Sequence, residues 1–79
     1  MLFKEAISKR IIELCDENNY SINKLAEYST IPPSTLRDLV GNGVNNPSCY
    51  VIYKICKTFK ISIKEFFDSD LFKYDNIDD

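Results

Sequence analysis

The stretch that decides the fold is Ser21-Ile22-Asn23-Lys24-Leu25-Ala26-Glu27-Tyr28-Ser29-Thr30-Ile31-Pro32-Pro33-Ser34-Thr35-Leu36-Arg37-Asp38-Leu39. Leu25 and Ala26 form the inner face of one short helix, with Ser21 placed to cap its start. Leu36, Leu39 and Val40 recur at helical spacing and form the inner face of a second. Only Ser29, Thr30, Ile31, Pro32 and Pro33 lie between, too few for anything but a tight turn. Pro33 suits the first turn of the second helix, where its missing N–H has no intrahelical partner. Two short helices crossed steeply over one small residue make a helix-turn-helix. Ala26 is that residue, since a larger side chain would hold the helices apart.

Outward from this core, residues 4–18 read as a first helix. Phe3, Ile7, Ile11, Leu14 and Cys15 line one side, while Lys4, Lys9, Arg10, Glu13 and Glu17 face water. Asn18-Asn19 is its expected stop. Gly41-Asn42-Gly43 ends the third helix. Ser48 then caps a fourth, whose inner face is Cys49, Ile52, Ile55, Cys56 and Phe59. Ser62 and Glu65 form a capping box at the start of a fifth, with Ile61 and Phe66 as a hydrophobic staple. The end of the chain is compatible with a short extra helix, a dimer arm or a frayed tail.

Composition narrows the function classes. The chain has 79 residues, enough for one domain, and only two Gly and three Pro, which favours an ordered helical fold. No run of about 18 apolar residues is present, so no membrane span is expected. The amino-terminal stretch lacks the apolar segment of a secretion signal. Three cysteines without Cys-x-x-Cys spacing read as reduced core residues of a cytoplasmic protein. With no His, a mixed Cys/His zinc site is excluded, and no metal or cofactor is expected. No glycine-rich phosphate loop and no base beside a cysteine nucleophile occur, so neither an enzyme nor a small-molecule substrate is indicated.

The net charge of −2 is unevenly spread. Residues 1–64 carry nine Lys/Arg against six Asp/Glu, whereas residues 65–79 carry Lys73 against six Asp/Glu. The body is thus mildly basic, and the acidity sits at the end.

The order and spacing of these pieces resemble the XRE family, the Cro and phage-repressor type of helix-turn-helix domain. The resemblance covers residues 4–68. It rests on Ser21 to Leu39, on Gly41-Asn42-Gly43 with Asn46-Pro47-Ser48, and on Ile52 to Phe67. It implies an all-α, five-helix, lambda-repressor-like fold, a cytoplasmic location, and dimeric operator binding in transcriptional control. Residues 1–68 would then be the helix-turn-helix domain, and 69–79 an acidic, aromatic tail. The chain departs from the family pattern in three respects. Thr30 stands where Gly is usual, at a cost of order 1–3 kcal/mol if it is held left-handed. Ile22 stands where a phosphate-contacting Gln is frequent. Pro33, Ser34, Arg37 and Asp38 occupy positions that commonly hold Gln, Arg, Lys or Asn.

The second helix of such a motif is shaped to enter a major groove. With Leu36, Leu39 and Val40 inward, Ser34 and Asp38 point outward, and Arg37 and Thr35 flank them. Arg37 can meet the O6 and N7 of a guanine, grip a phosphate, or stand as a solvated charge. Ser34 and Thr35 can donate to phosphate or base edges, or cap their own helix. Asp38 can accept from a cytosine amine, restrain Arg37, or repel phosphate. Asn42, Asn45 and Asn46, with the N–H of Gly43, can grip a phosphate or serve only the turn. Ser21, Asn23 and Lys24 sit where helix two would cross the DNA backbone. Tyr50 can donate its hydroxyl to phosphate or pack on the surface.

With these residues on the outer face, the resemblance implies a sequence-specific double-stranded DNA-binding regulator, a repressor acting as a homodimer on a palindromic operator. A competing reading is a protein-interaction module on the same scaffold: an antitoxin, an adaptor or a DNA-mimicking inhibitor. Asp38 and the acidic end motivate it.

Overall fold

Three helices stop in the same way, and those stops set the architecture. Asn19, Thr30 and Lys60 each take up the left-handed conformation, all with φ of 58°. After each, the next N–H reaches back across the helix end: Tyr20 to the Cys15 carbonyl at 2.9 Å, Ile31 to Ala26 at 3.2 Å, Ile61 to Cys56 at 3.0 Å. This arrangement satisfies carbonyls that the helix leaves unpaired. It also turns Tyr20, Ile31 and Ile61 onto the hydrophobic core.

The computed structural model describes residues 1–41 and 46–79. Among them the chain is all-helical: α1 Phe3–Asn18, α2 Ile22–Ser29, α3 Pro33–Val40, α4 Cys49–Phe59 and α5 Ile63–Phe67, then 3-10 turns at Asp70–Phe72 and Tyr74–Asn76. The predicted caps are present. Ser21 accepts from the Lys24 N–H, Ser48 from Val51, and Ser62 from Glu65, whose carboxylate accepts from the Ser62 N–H in return.

α1 packs on α3, α2 on both α3 and α4, and α4 on α5. The centre of the core is Ile7, Ile11, Leu25, Leu36, Ile55, Cys56 and Phe66, all essentially free of solvent. Ala6 and Ala26 are equally buried and let backbones approach closely.

The structure corrects three expectations. Arg10 does not face water: its side chain is only 14% exposed. Its Nε donates to the Phe66 carbonyl at 2.7 Å and its Nη2 to the Glu65 carbonyl at 2.9 Å. The aliphatic stem follows the apolar stripe of α1, and the guanidinium caps the end of α5. Cys49 is exposed rather than on the inner face of α4, because it occupies the first helical position, outside the packed stripe. Phe3 stands at the rim, partly exposed, where its ring meets Phe72 at 6.0 Å.

The carboxyl end folds back on the start of α1. Phe72 packs on Phe67 at 4.8 Å and Phe66 at 6.1 Å. The Asp78 N–H donates to the Met1 carbonyl, and the Phe3 N–H to the Asp79 carboxylate, each at 2.9 Å. Asp78 also pairs with the Met1 amine at 2.6 Å.

Candidate nucleic-acid interface

α3 is held from three sides and bare on the fourth. Leu36 is fully buried, and Leu39 and Val40 are half-buried against the core. From α1, the Ser8 hydroxyl donates to the Val40 carbonyl at 3.0 Å, fixing the far end of the helix. At Gly41 an added Cβ would stand 3.0 Å from the Arg37 carbonyl, so the chain leaves α3 by a path that favours glycine. Ala26 is buried where α2 meets the turn, and its carbonyl accepts from Ile31. These anchors make α3 a rigid rod with one face available.

That face carries Ser34, Arg37 and Asp38, all exposed, with Thr35 half-buried beside them. No ion pair joins Arg37 to Asp38 among the described residues, so the guanidinium fork is not occupied by its neighbour. Asp38 instead lines a cleft with Lys4, Glu5 and Lys9 of α1.

The start of α3 has an uncommon chemistry. Pro32 stands at the cap, offers no side-chain acceptor, and is followed by Pro33 at the first helical position. Leu36 donates to the Pro32 carbonyl at 3.1 Å, while the N–H groups of Ser34 and Thr35 receive no side-chain cap. α2, α4 and α5 all have a serine at this point. Uncapped N–H groups at a helix start suit a phosphate or base acceptor.

On α2, Ser21 and Asn23 are exposed. The Ser21 oxygen already accepts from the Lys24 N–H at 3.0 Å, leaving its proton for a donor role. The Lys24 ammonium lies 4.3 Å from the centre of the Tyr20 ring and 5.6 Å from that of Tyr28. These rings restrain a cation that would otherwise sample many rotamers. Asn46 is exposed ahead of Pro47. Asn42, Gly43 and Asn45 lie outside the described residues. Tyr50 is 63% exposed and stacks on Tyr53 with ring centres 6.2 Å apart.

Sequence reading places Tyr53, Lys54 and Lys57 on the outer side of helix four as a solvated face, and the structure gathers them into a second polar-aromatic surface. Tyr28, Tyr53, Lys54 and Lys57 line a cleft between the end of α2 and the outer face of α4, where the Lys54 ammonium lies 4.8 Å from the Tyr50 ring centre. The signal was present: Tyr50, Tyr53, Lys54 and Lys57 are spaced three and four apart, one helix face. Among the described residues, no helix is long and apolar enough to cross a membrane.

Comparison with known proteins agrees with this geometry. The model of the Cro/C1-type HTH DNA-binding domain matches residues 10–71. Among solved structures, the chain is similar to the prophage Lp1 protein 11, with a TM-score of 0.82 and 28% identity. The match covers 92% of this chain and 99% of that one. No curated protein sequence matches. The chain belongs to the Cro/C1-type helix-turn-helix DNA-binding domain family.

Proposed function

We propose that this chain is a sequence-specific transcriptional regulator that binds double-stranded DNA, a repressor acting as a homodimer on a palindromic operator. The observation that carries the reading is the outer face of α3: Ser34, Arg37 and Asp38 exposed together on a helix whose opposite side is locked by buried Leu36. Laid in a major groove, that face brings Arg37 to base edges, and Ser34 and Thr35 to phosphate or base acceptors. Asp38 then selects for a cytosine amine and against other groups at its position. Ser21, Asn23 and Lys24 contact one flanking phosphate strand, and Asn46 and Tyr50, with the loop residues Asn42, Gly43 and Asn45, contact the other.

A dimer places two copies of α3 about 34 Å apart on one face of the duplex. Occupying that face blocks access by other proteins, the simplest route to repression for a chain of this size. The competing reading as a DNA-mimicking inhibitor is less well supported. It needs a row of free carboxylates, whereas Asp78 and Asp79 are engaged at the start of α1, Asp70 pairs with Lys73 and Glu65 caps α5, which leaves Asp68 and Asp75 apart from any such row.

Selection of bound duplexes from a random pool tests the proposal. An enriched inverted repeat, with half-sites about one helical turn apart, is the expected result. Failure to enrich any sequence at low salt would overturn it.

A further inference from the structure

Apart from Tyr50, the residues lining the cleft between the end of α2 and the outer face of α4 have no role in the reading above. The cleft measures about 360 Å³, and among the described residues it is lined by three tyrosines, Lys54, Lys57 and no carboxylate. Tyr28, Tyr50 and Tyr53 are all exposed, an unusual concentration of aromatic surface to leave in water. Aromatic rings and ammonium groups together suit an acidic segment that also carries a ring.

The chain has such a segment. Its carboxyl end exposes Asp68 and Asp75, with Asp70 paired to Lys73 at 3.2 Å, and Tyr74 beside them is 94% exposed. The segment cannot fill the cleft of its own molecule, because it is held to the start of α1 by the hydrogen bonds of Asp78 and Asp79. We propose that the α2–α4 cleft is the docking surface for the acidic, tyrosine-bearing carboxyl end of a second copy of this chain.

The lysines suit any anion, but the three exposed rings favour this occupant over a phosphate ridge, because the carboxyl end brings the Tyr74 ring together with its carboxylates. The cleft follows the outer face of α4 from Tyr50 in its first turn to Thr58 near its end, and meets α2 only at that helix's last residues, Tyr28 and Ser29. The two surfaces differ, so the contact is head-to-tail and leaves each copy a free end for the next. The patch is small, and the contact becomes effective when copies are held side by side. The contact does not depend on which sequence α3 reads.

Residue-resolved amide shifts of the isotope-labelled full chain test this directly. Titration with unlabelled chain should move Tyr28, Tyr53 and Lys57 together with Asp68 to Asp75. The effect should fade as salt rises from about 0.05 to about 0.5 M. Lys54→Glu with Lys57→Glu, and separately Asp68→Lys with Asp75→Lys, should each weaken the association about tenfold. Mixing the two variants should restore it, because the reversed charges again match. The spectra report at the same time that each variant is folded. Two results overturn the proposal: no recovery in the mixture, or lowered duplex affinity of the lysine variant with copy-to-copy shifts intact. The second would make the cleft a DNA surface.

Discussion

The Arg10 guanidinium closes the end of α5 by donating to the Phe66 carbonyl at 2.7 Å, a contact spanning 56 positions of sequence. A second donor of the same fork reaches the Glu65 carbonyl. These are the last carbonyls of a five-residue helix that has few hydrogen bonds of its own. Arg10→Ala leaves the Phe66 carbonyl without this partner, while Glu65 keeps the Asp68 N–H, and should cost about 1–3 kcal/mol in a urea unfolding experiment. Arg10→Lys should recover less than half, since one ammonium cannot reproduce the two-pronged geometry.

Thr30 is the strained stop of the set. Its φ of 58° suits Asn at position 19 but not a β-branched residue, and its hydroxyl is turned to the Ser29 carbonyl at 2.6 Å. Thr30→Gly should raise stability by about 1 kcal/mol and the melting temperature by roughly 5 °C. A loss of stability would mean that the hydroxyl contact outweighs the backbone strain.

The aromatic end is part of the body's packing. Phe72 touches the rings of Phe3, Phe66 and Phe67. Phe72→Ala should cost about 2 kcal/mol, less than a fully buried ring because Phe72 keeps some exposure. Hydrogen exchange should show the loss at α1 and α5 first.

The thiols give a pH signature. Burial pushes the Cys15 and Cys56 thiols up from their ordinary value, with the nearby Asp16 charge adding to Cys15. In the unfolded chain both ionise sooner. The folded state is therefore favoured at neutral pH, and stability should fall as pH rises through the ordinary thiol range and beyond. A disulfide-exchange reagent should modify exposed Cys49 first, and Cys49→Ser should remove that fast phase.

Local signals carried most of the architecture. Serine caps, the left-handed Asn19, Pro33 at a helix start and the Ser62–Glu65 box each depend on a few neighbouring residues, and all are legible in order. What was not legible depends on long-range contact. Arg10 falls three after Ile7 and four after Ala6, inside the apolar stripe, yet a charged residue reads as solvated until its partners are known. Those partners are carbonyls of α5, which no spacing rule in α1 can supply. The docking of Phe72 and Asp79 on α1 likewise joins opposite ends of the sequence. At the candidate interface, helical periodicity placed Ser34, Arg37 and Asp38 outward. The missing cap at Pro32 is legible too, since proline offers no side-chain acceptor, whereas the meeting of Tyr50 and Tyr53 with Tyr28 of α2 in one cleft emerges only in three dimensions.

Arg37 is the side chain on which the proposed function depends most. The decisive measurement is the affinity of the chain and of Arg37→Ala for an enriched duplex and for a scrambled one, at fixed salt. The account predicts that the variant loses about 1–3 kcal/mol on the enriched duplex and nearly nothing on the scrambled one, so that base preference collapses. Equal affinities and an unchanged preference in the variant would contradict it, because α3 would then not be the reading element.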